Sequence, residues 1–358
     1  MAMETRTLGR TGIEVGVIGL GTEHLLADRT NMNALLDLAV SGGVNYIDLF
    51  SDPTSGSIDE YIEAIGPAVR RHRERLVLCI HWGVYNEPFD QCQLGFDQAL
   101  TRLGGDYAEI GMITMIDSEI MWSGYAQKAI ELIRRYQRDG RVGFIGLSSH
   151  NADIARMAVE SGLIDVLMFP VNLYQHPGDP ARAALLKACA KQKVGVVAMK
   201  PYHGGRLLRT EGNPTGITPV QCLHYVLSQP VDTIVPGARN ISEMSEALGY
   251  LHASHEEKQF ASLHDDLKDR LRGQCVDCKH CLPCPQAIDI PFVINILDYV
   301  EFYGGSRVFT QKNWQTYASL PVKASECIEC DVCLERCAFE VDIIAKMHRA
   351  AAVFETAA

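Results

Sequence analysis

Twelve cysteines are spread unevenly along this 358-residue chain, and eight of them fall between Cys275 and Cys337 in two tight runs. "CVDCKHCLPCP" places Cys275, Cys278, Cys281 and Cys284 at the spacing C-x2-C-x2-C-x2-C-P, and "CIECDVCLERC" places Cys327, Cys330, Cys333 and Cys337 at C-x2-C-x2-C-x3-C. Four thiolates hold either a zinc ion or an iron–sulfur cluster, so spacing must decide between them. Structural zinc sites usually join two C-x2-C pairs across a longer loop, whereas three cysteines at successive x2 intervals with a distant fourth wrap a cubane. Two 4Fe–4S clusters are therefore expected, and with them electron transfer; a lobe that gains only folding stability from its metal is the alternative. The other four cysteines, Cys79, Cys92, Cys189 and Cys222, stand alone and read as small buried hydrophobes.

In bacterial ferredoxins the fourth cysteine of each run ligates the other cluster. On that usage Cys275, Cys278 and Cys281 join Cys337, while Cys327, Cys330 and Cys333 join Cys284. The intervening residues would then fold into one compact lobe, with "PFVINILDYVEFY" as a helix packed on it.

A second set of chemically capable residues lies at the ends of apolar runs. "VGVIGLG", "VNYIDLF", "RLVLCIHWG", "EIGMITMID", "VGFIGLSSH", "DVLMFPVNLY", "VGVVAMKPY" and "VDTIVPGA" read as eight strands, separated by segments of helical period such as "NMNALLDLAVSG" and "AQKAIELIRRYQRDG". Strands that are almost continuously apolar and alternate with helices are parallel and covered on the outside. Eight of them, with neither a G-x-G-x-x-G fingerprint after the first nor a P-loop, predict an α/β fold, a (β/α)8 TIM barrel over residues 1–265, followed by a small α-rich ferredoxin-like iron–sulfur domain over 266–358. Chemistry in such a barrel sits at the carboxyl ends of the strands. Those ends carry Glu23 and His24, Asp48, His81, Thr114 and Asp117, Ser148, Ser149 and His150, Asn172, Lys200, Tyr202 and His203, and Arg239. Neighbouring residues of a strand point to opposite sides, so Glu23 and His24 do not both face the mouth.

Composition narrows the surroundings. With 47% apolar and 22% charged residues the chain belongs among ordinary globular proteins, and its net charge of −11 argues against non-specific nucleic-acid binding. No run approaches the length of a membrane span, and "MAMETRTLGRTG" lacks the order of a secretion signal, so a cytoplasmic protein that engages neither membrane nor nucleic acid is expected.

At this point the residues resemble a family. "RTLGRTGIEVGVIGLGT", "GGVNYID", "RLGGDYAEI", "GRVGFIGLSSHN", "AMKPYHGGRL" and "VPGARNISEMSEAL", together with both cysteine runs, are similar to the aldo-keto reductases, in the branch that carries a C-terminal ferredoxin-like domain. The resemblance implies nicotinamide-dependent carbonyl reduction by a tyrosine proton donor tuned by a lysine, a histidine and an aspartate. Here the aspartate is Asp48, but the tyrosine position falls on Pro53, the lysine position on His81 and the histidine position on Thr114. The pair that holds the nicotinamide carboxamide reads Ser148–Ser149, and the sixth-strand glutamine reads Met168. These departures argue against NADP(H) dependence and leave Ser148, Gly237 and Arg239 to meet a nucleotide phosphate.

The expected function is an iron–sulfur oxidoreductase that passes electrons to a small organic substrate at the barrel mouth, supplied by a donor such as a ferredoxin or flavodoxin. Asp48 and His81 form an acid–base pair in this reading, with His150, Glu23, His24, Lys200 and Tyr202 as further candidates. An additional metal held by His81, Asp48 and one of Glu23 or His24 is a variant of it. The alternatives are an NADPH-dependent carbonyl reductase with a rearranged proton donor, Tyr202 or His81; a non-redox lyase or hydratase with structural clusters; and a catalytically inactive electron-carrier module.

Overall fold

The computed structural model describes residues 2–23, 31–50, 58–83, 88–103, 105–174, 179–208, 216–260, 271–275, 280–302 and 307–355. His24, Pro53 and Cys278 lie outside them. The chain divides into two compact units, Met1–Thr210 with Ile217–Phe260, and Glu211–Gly216 with Ala261–Ala358.

The first unit begins with a hairpin, β1 (Thr5–Thr7) paired antiparallel with β2 (Glu14–Gly16). Eight parallel strands follow: β3 (Leu20–Gly21), β4 (Tyr46–Leu49), β5 (Val77–Trp82), β6 (Ala108–Ile113), β7 (Val142–Ser148), β8 (Val166–Pro170), β9 (Gly195–Met199) and β10 (Thr233–Val235). They are hydrogen-bonded in chain order. The ring closes through parallel bridges Ile18↔Ile234 and Gly21↔Gly237, so the sheet is a barrel. The run "VGVIGLG" is thus shared between two elements: its first residues complete the hairpin, and only its end enters the barrel.

Strand alternation fills the interior. Tyr46, Val77, Cys79, Ile110, Met112, Val166, Met168, Val197 and Val235 form one buried cluster, closed at the strands' amino ends by Leu8 and Val15 of the hairpin region. The closure is tight: Gly9, at φ +50°, lies so near β9 that a Cβ there would stand 2.2 Å from the Gly195 amide nitrogen. Only glycine fits such an approach.

Helices α1 (Met32–Ser41), α2 (Ile58–His72), α3 (Phe89–Arg102), α4 (Gln127–Arg138), α5 (Ala152–Glu160), α6 (Pro180–Gln192), α7 (Pro219–Leu227) and α8 (Ile241–Gly249) alternate with the strands. Helix α4 shows why they lie on the sheet. It buries Ala129, Ile130, Ile133 and Tyr136, one stripe at helical spacing, and its other residues are charged or polar except the half-buried Leu132. A π-turn over Met121–Ala126 leads into it.

In the second unit, helices Ile290–Phe302, Arg307–Ser319, Val332–Arg336 and Ile343–Phe354 are the principal elements, and no strand occurs among the described residues. Ile290, Val293, Ile294 and Leu297 pack with Tyr317, Ile343 and Met347, and against this core lie Cys275, Cys284, Cys327, Cys333 and Cys337. Lys346 Nζ, on helix Ile343–Phe354, reaches Asp298 Oδ1, on helix Ile290–Phe302, at 2.7 Å. Beyond α8 the chain is helical again at His255–Lys258, and residues 261–270 lie outside the description.

Candidate functional site

Register brings the rim residues together. Asp48 is the Cα partner of Cys79, and His81 that of Met112. Asp48, Cys79, His81 and Thr114 continue the inward parity of Tyr46, Val77 and Met112, so the side chain of His81 is flanked by those of the strands on either side. Its Nε2 lies 2.8 Å from Asp48 Oδ1 and its Nδ1 3.1 Å from Thr114 Oγ1. Asp48 is buried and the His81 side chain is 6% exposed, with the Phe50 ring 5.0 Å from the imidazole.

Proton bookkeeping settles the ring's orientation. Thr114 Oγ1 donates to the Trp82 carbonyl, so toward His81 it accepts, and Nδ1 carries the hydrogen. Nε2 then faces a carboxylate oxygen, and the contact requires a proton between two acceptors. Thr114 is the group that orients His81.

A second dyad forms where β6 and β7 end. His150 donates its backbone N–H to Asp117 Oδ1 at 2.6 Å and sets Nδ1 3.1 Å from Asp117 Oδ2, while Ser149 Oγ donates to the same carboxylate at 3.0 Å. Burial alone would raise Asp117, but the hydrogen bond and charge of His150 hold it below the usual carboxylate range. Burial, and then the nearby Lys200 ammonium, keep His150 below the usual histidine range against the opposing pull of Asp117 and Glu23. Glu23 and Lys200 are therefore electrostatic neighbours of His150. Its Nε2 is buried without a hydrogen-bond partner among the described residues.

The sign of the pH effect follows. A depressed histidine prefers to be neutral in the folded chain, so the unfolded chain takes up the proton first. Stability from this group is full above about pH 6.5 and is lost as pH falls through the folded-state value. His150→Gln is expected to flatten the fall in urea midpoint of the barrel as pH drops below about 6.5, followed by tryptophan fluorescence.

The remaining candidates are placed elsewhere. Ser148 is buried and its Oγ accepts the N–H of Met115 at 2.8 Å, holding that residue at φ +53°. Ser148→Ala is expected to cost about 1 kcal/mol by unpairing that amide, read as a lower urea midpoint. Gly237 pairs with Gly21 in the barrel closure. Arg239 is held by Glu243, with Nε at 2.8 Å and Nη2 at 2.6 Å from one carboxylate oxygen, at the start of α8. The Tyr202 hydroxyl is buried with Cys222, Glu243 and Glu246 as its electrostatic neighbours, so it is directed toward α7 and α8. Asn172 donates to the Lys200 carbonyl and receives the Tyr174 amide, which fixes the end of β8.

Two contributors were not legible as site residues. Cys79 reads as one more apolar residue in its run, yet Asp48, Cys79 and His81 each offer a ligand atom within 4.8 Å of the others. Its spacing of two from His81 is the available signal, because i and i+2 share a face. Asp117 stood on the rim with nothing to mark it as the partner of His150.

In the second unit, Cys284 of the first run and Cys327, Cys330 and Cys333 of the second line one cavity, which with the solvent at its mouth encloses about 360 Å³. No disulfide joins the described cysteines of the two runs. Val341 donates its N–H to Cys337 Sγ at 3.4 Å.

Among the described residues no helix is long and apolar enough to cross a membrane. The chain is 24% identical over 217 residues to the uncharacterized oxidoreductase YqkF of Bacillus subtilis, spanning 57% of this chain and 67% of that protein. It is 26% identical over 235 residues to L-galactose dehydrogenase of Arabidopsis thaliana, spanning 59% and 69%. The aldo-keto reductase AKR11C1 from Bacillus halodurans, in its holo form, superposes with a TM-score of 0.59 at 18% identity, covering 75% of this chain and 96% of that one. That likeness concerns the fold. The profile of the aldo/keto reductase family matches residues 13–221, the greater part of the chain and nearly all of the barrel. With an eight-stranded parallel barrel behind that match, the chain belongs to the aldo/keto reductase family.

Proposed function

We propose that this aldo/keto reductase relative is an iron–sulfur oxidoreductase that reduces a small organic substrate at the barrel mouth. The observation that carries the reading is the cavity in the second unit, where cysteines from two distant runs meet in the combination that ferredoxin usage implies: Cys284 with Cys327, Cys330 and Cys333. Among the described residues these sulfurs do not gather in threes within 4.8 Å. A tetrahedral zinc, with Zn–S bonds of about 2.3 Å, would need them about 3.8 Å apart. A cubane, with an iron behind each thiolate, spreads its ligands wider. Cys275, Cys278, Cys281 and Cys337 would hold the second cluster, and two 4Fe–4S clusters so bound would supply electrons one at a time, received from a donor such as a ferredoxin or flavodoxin.

The barrel residues supply what electron uptake demands. The Asp48–His81 contact holds a proton at the mouth, and Thr114, by accepting the Nδ1 hydrogen, leaves that proton shared between Nε2 and the carboxylate. The partly buried ring of His150, anchored by Asp117, is a second group able to exchange one. A family reductase needs a tyrosine to donate; here a histidine–carboxylate pair takes that part.

Family membership favours NADPH-dependent carbonyl reduction as the second reading. Against it, Arg239, the residue left for a phosphate, is engaged by the Glu243 carboxylate in the first turn of α8.

The test is anaerobic purification, with iron and sulfide assay, then reduction by dithionite and reoxidation by a panel of small carbonyl compounds, followed by visible absorption and EPR. Clusters that cycle with a substrate support the reading. An iron-free chain, or one whose clusters stay inert while NADPH binds saturably, overturns it in favour of the second.

A further inference from the structure

We propose that Asp48, Cys79 and His81 form a site for one divalent cation of the zinc class, inside the carboxyl end of the barrel. It goes beyond the reading above and involves none of the cysteines of the second unit. Three kinds of donor, a carboxylate oxygen, a sulfur and an imidazole nitrogen, converge within 4.8 Å. Register produces this: Asp48 and Cys79 are Cα partners on adjacent strands, and His81 follows Cys79 on the same inward face.

The hydrogen-bond pattern points to a cation at that convergence. Because the Nδ1 hydrogen is committed to Thr114, Nε2 presents its lone pair to Asp48 Oδ1 at 2.8 Å. Two acceptors meet with a thiol beside them. A proton bridges them in the free chain, and a metal ion can replace it. Histidine ligands are oriented in this way, with the second ring nitrogen donating to an outer hydroxyl or carbonyl. Here the chain continues from Thr114 to the Trp82 carbonyl.

Charge and softness select the ion. Carboxylate and thiolate together carry two negative charges, so a dication makes the buried group neutral, which removes the cost of burying unpaired charge. Cys79 is fully buried, and burial followed by the charge of Asp48 keeps its thiol protonated in the free chain; the ion supplies the compensating charge that releases the proton. Sulfur and imidazole donors favour zinc-like cations over magnesium or calcium. Three protein ligands leave one tetrahedral position for water or an oxygen of the substrate. Since the ion takes the place of the shared proton, the metal-loaded and proton-holding states of the mouth exclude one another.

The experiment uses the full chain with its iron and sulfide content measured. One equivalent of cobalt(II), a spectroscopic substitute for zinc, is added anaerobically, the sample is desalted, and the cobalt K-edge spectrum is recorded. About one retained cobalt per chain, with a single sulfur among nitrogen and oxygen neighbours, is expected. Cys79→Ser removes that sulfur, and Thr114→Val weakens binding by about 10–100-fold at unchanged circular dichroism. No retained cobalt, cobalt without sulfur, or several sulfurs insensitive to Cys79→Ser overturns the proposal. Iron and sulfide on the same sample report separately on the clusters.

Discussion

Alanine at Cys284 is expected to halve the iron of the anaerobically purified chain, from about eight to about four atoms per molecule. The residue belongs by sequence to the first run, yet it lines a cavity with Cys327, Cys330 and Cys333 of the second. If each run held its own cluster, Cys284→Ala and Cys281→Ala would give the same surviving EPR signal. On the crossed arrangement Cys284→Ala matches Cys330→Ala instead, and Cys281→Ala matches Cys337→Ala. The comparison among four variants identifies the pairing without a structure of the cluster-loaded protein. Because the cysteines pack on the core that includes Ile290, Val293 and Met347, loss of one cluster is also expected to loosen the lobe, seen as faster proteolysis beyond residue 270.

Glutamine at His81 is expected to lower substrate-dependent turnover by about 10²- to 10⁴-fold, the range for removing a positioned acid–base group. Reduced methyl viologen serves as the donor, so that electron entry does not limit the measurement. Asp48→Asn is expected to act in the same direction through His81, since an amide cannot share the proton at Nε2. Double substitution should cost little more than either single one, because the two groups work as a unit. Undiminished turnover in His81→Gln with intact clusters would remove the barrel pair from the reaction.

Much of the scaffold was readable because parallel strands buried on both faces are apolar throughout, and their alternation with amphipathic helices leaves few alternatives. The exception, "VGVIGLG", has a physical cause. An apolar run records burial, and burial is equal in the hairpin and in the barrel; where the backbone changes partners leaves no mark on residue type. Arg239 illustrates a different failing. Its carboxylate partner, Glu243, lies in the first turn of α8 and reaches back to the arginine that precedes the helix, yet the residue invited a phosphate reading because the surrounding "PGARN" resembles the family pattern.

Local order by itself determined the number of barrel strands, since strand periodicity acts over a few residues of chain. It also marked Asp48 and His81 as rim residues, because each ends an apolar run. Tertiary structure alone decided which of these groups meet. The contacts of His81 with Asp48 and Thr114, of His150 with Asp117, and the approach of Cys79 to Asp48 all span roughly thirty residues of intervening helix and loop. They depend on strand register, which is set by the packing of the whole barrel interior and by no short stretch of sequence.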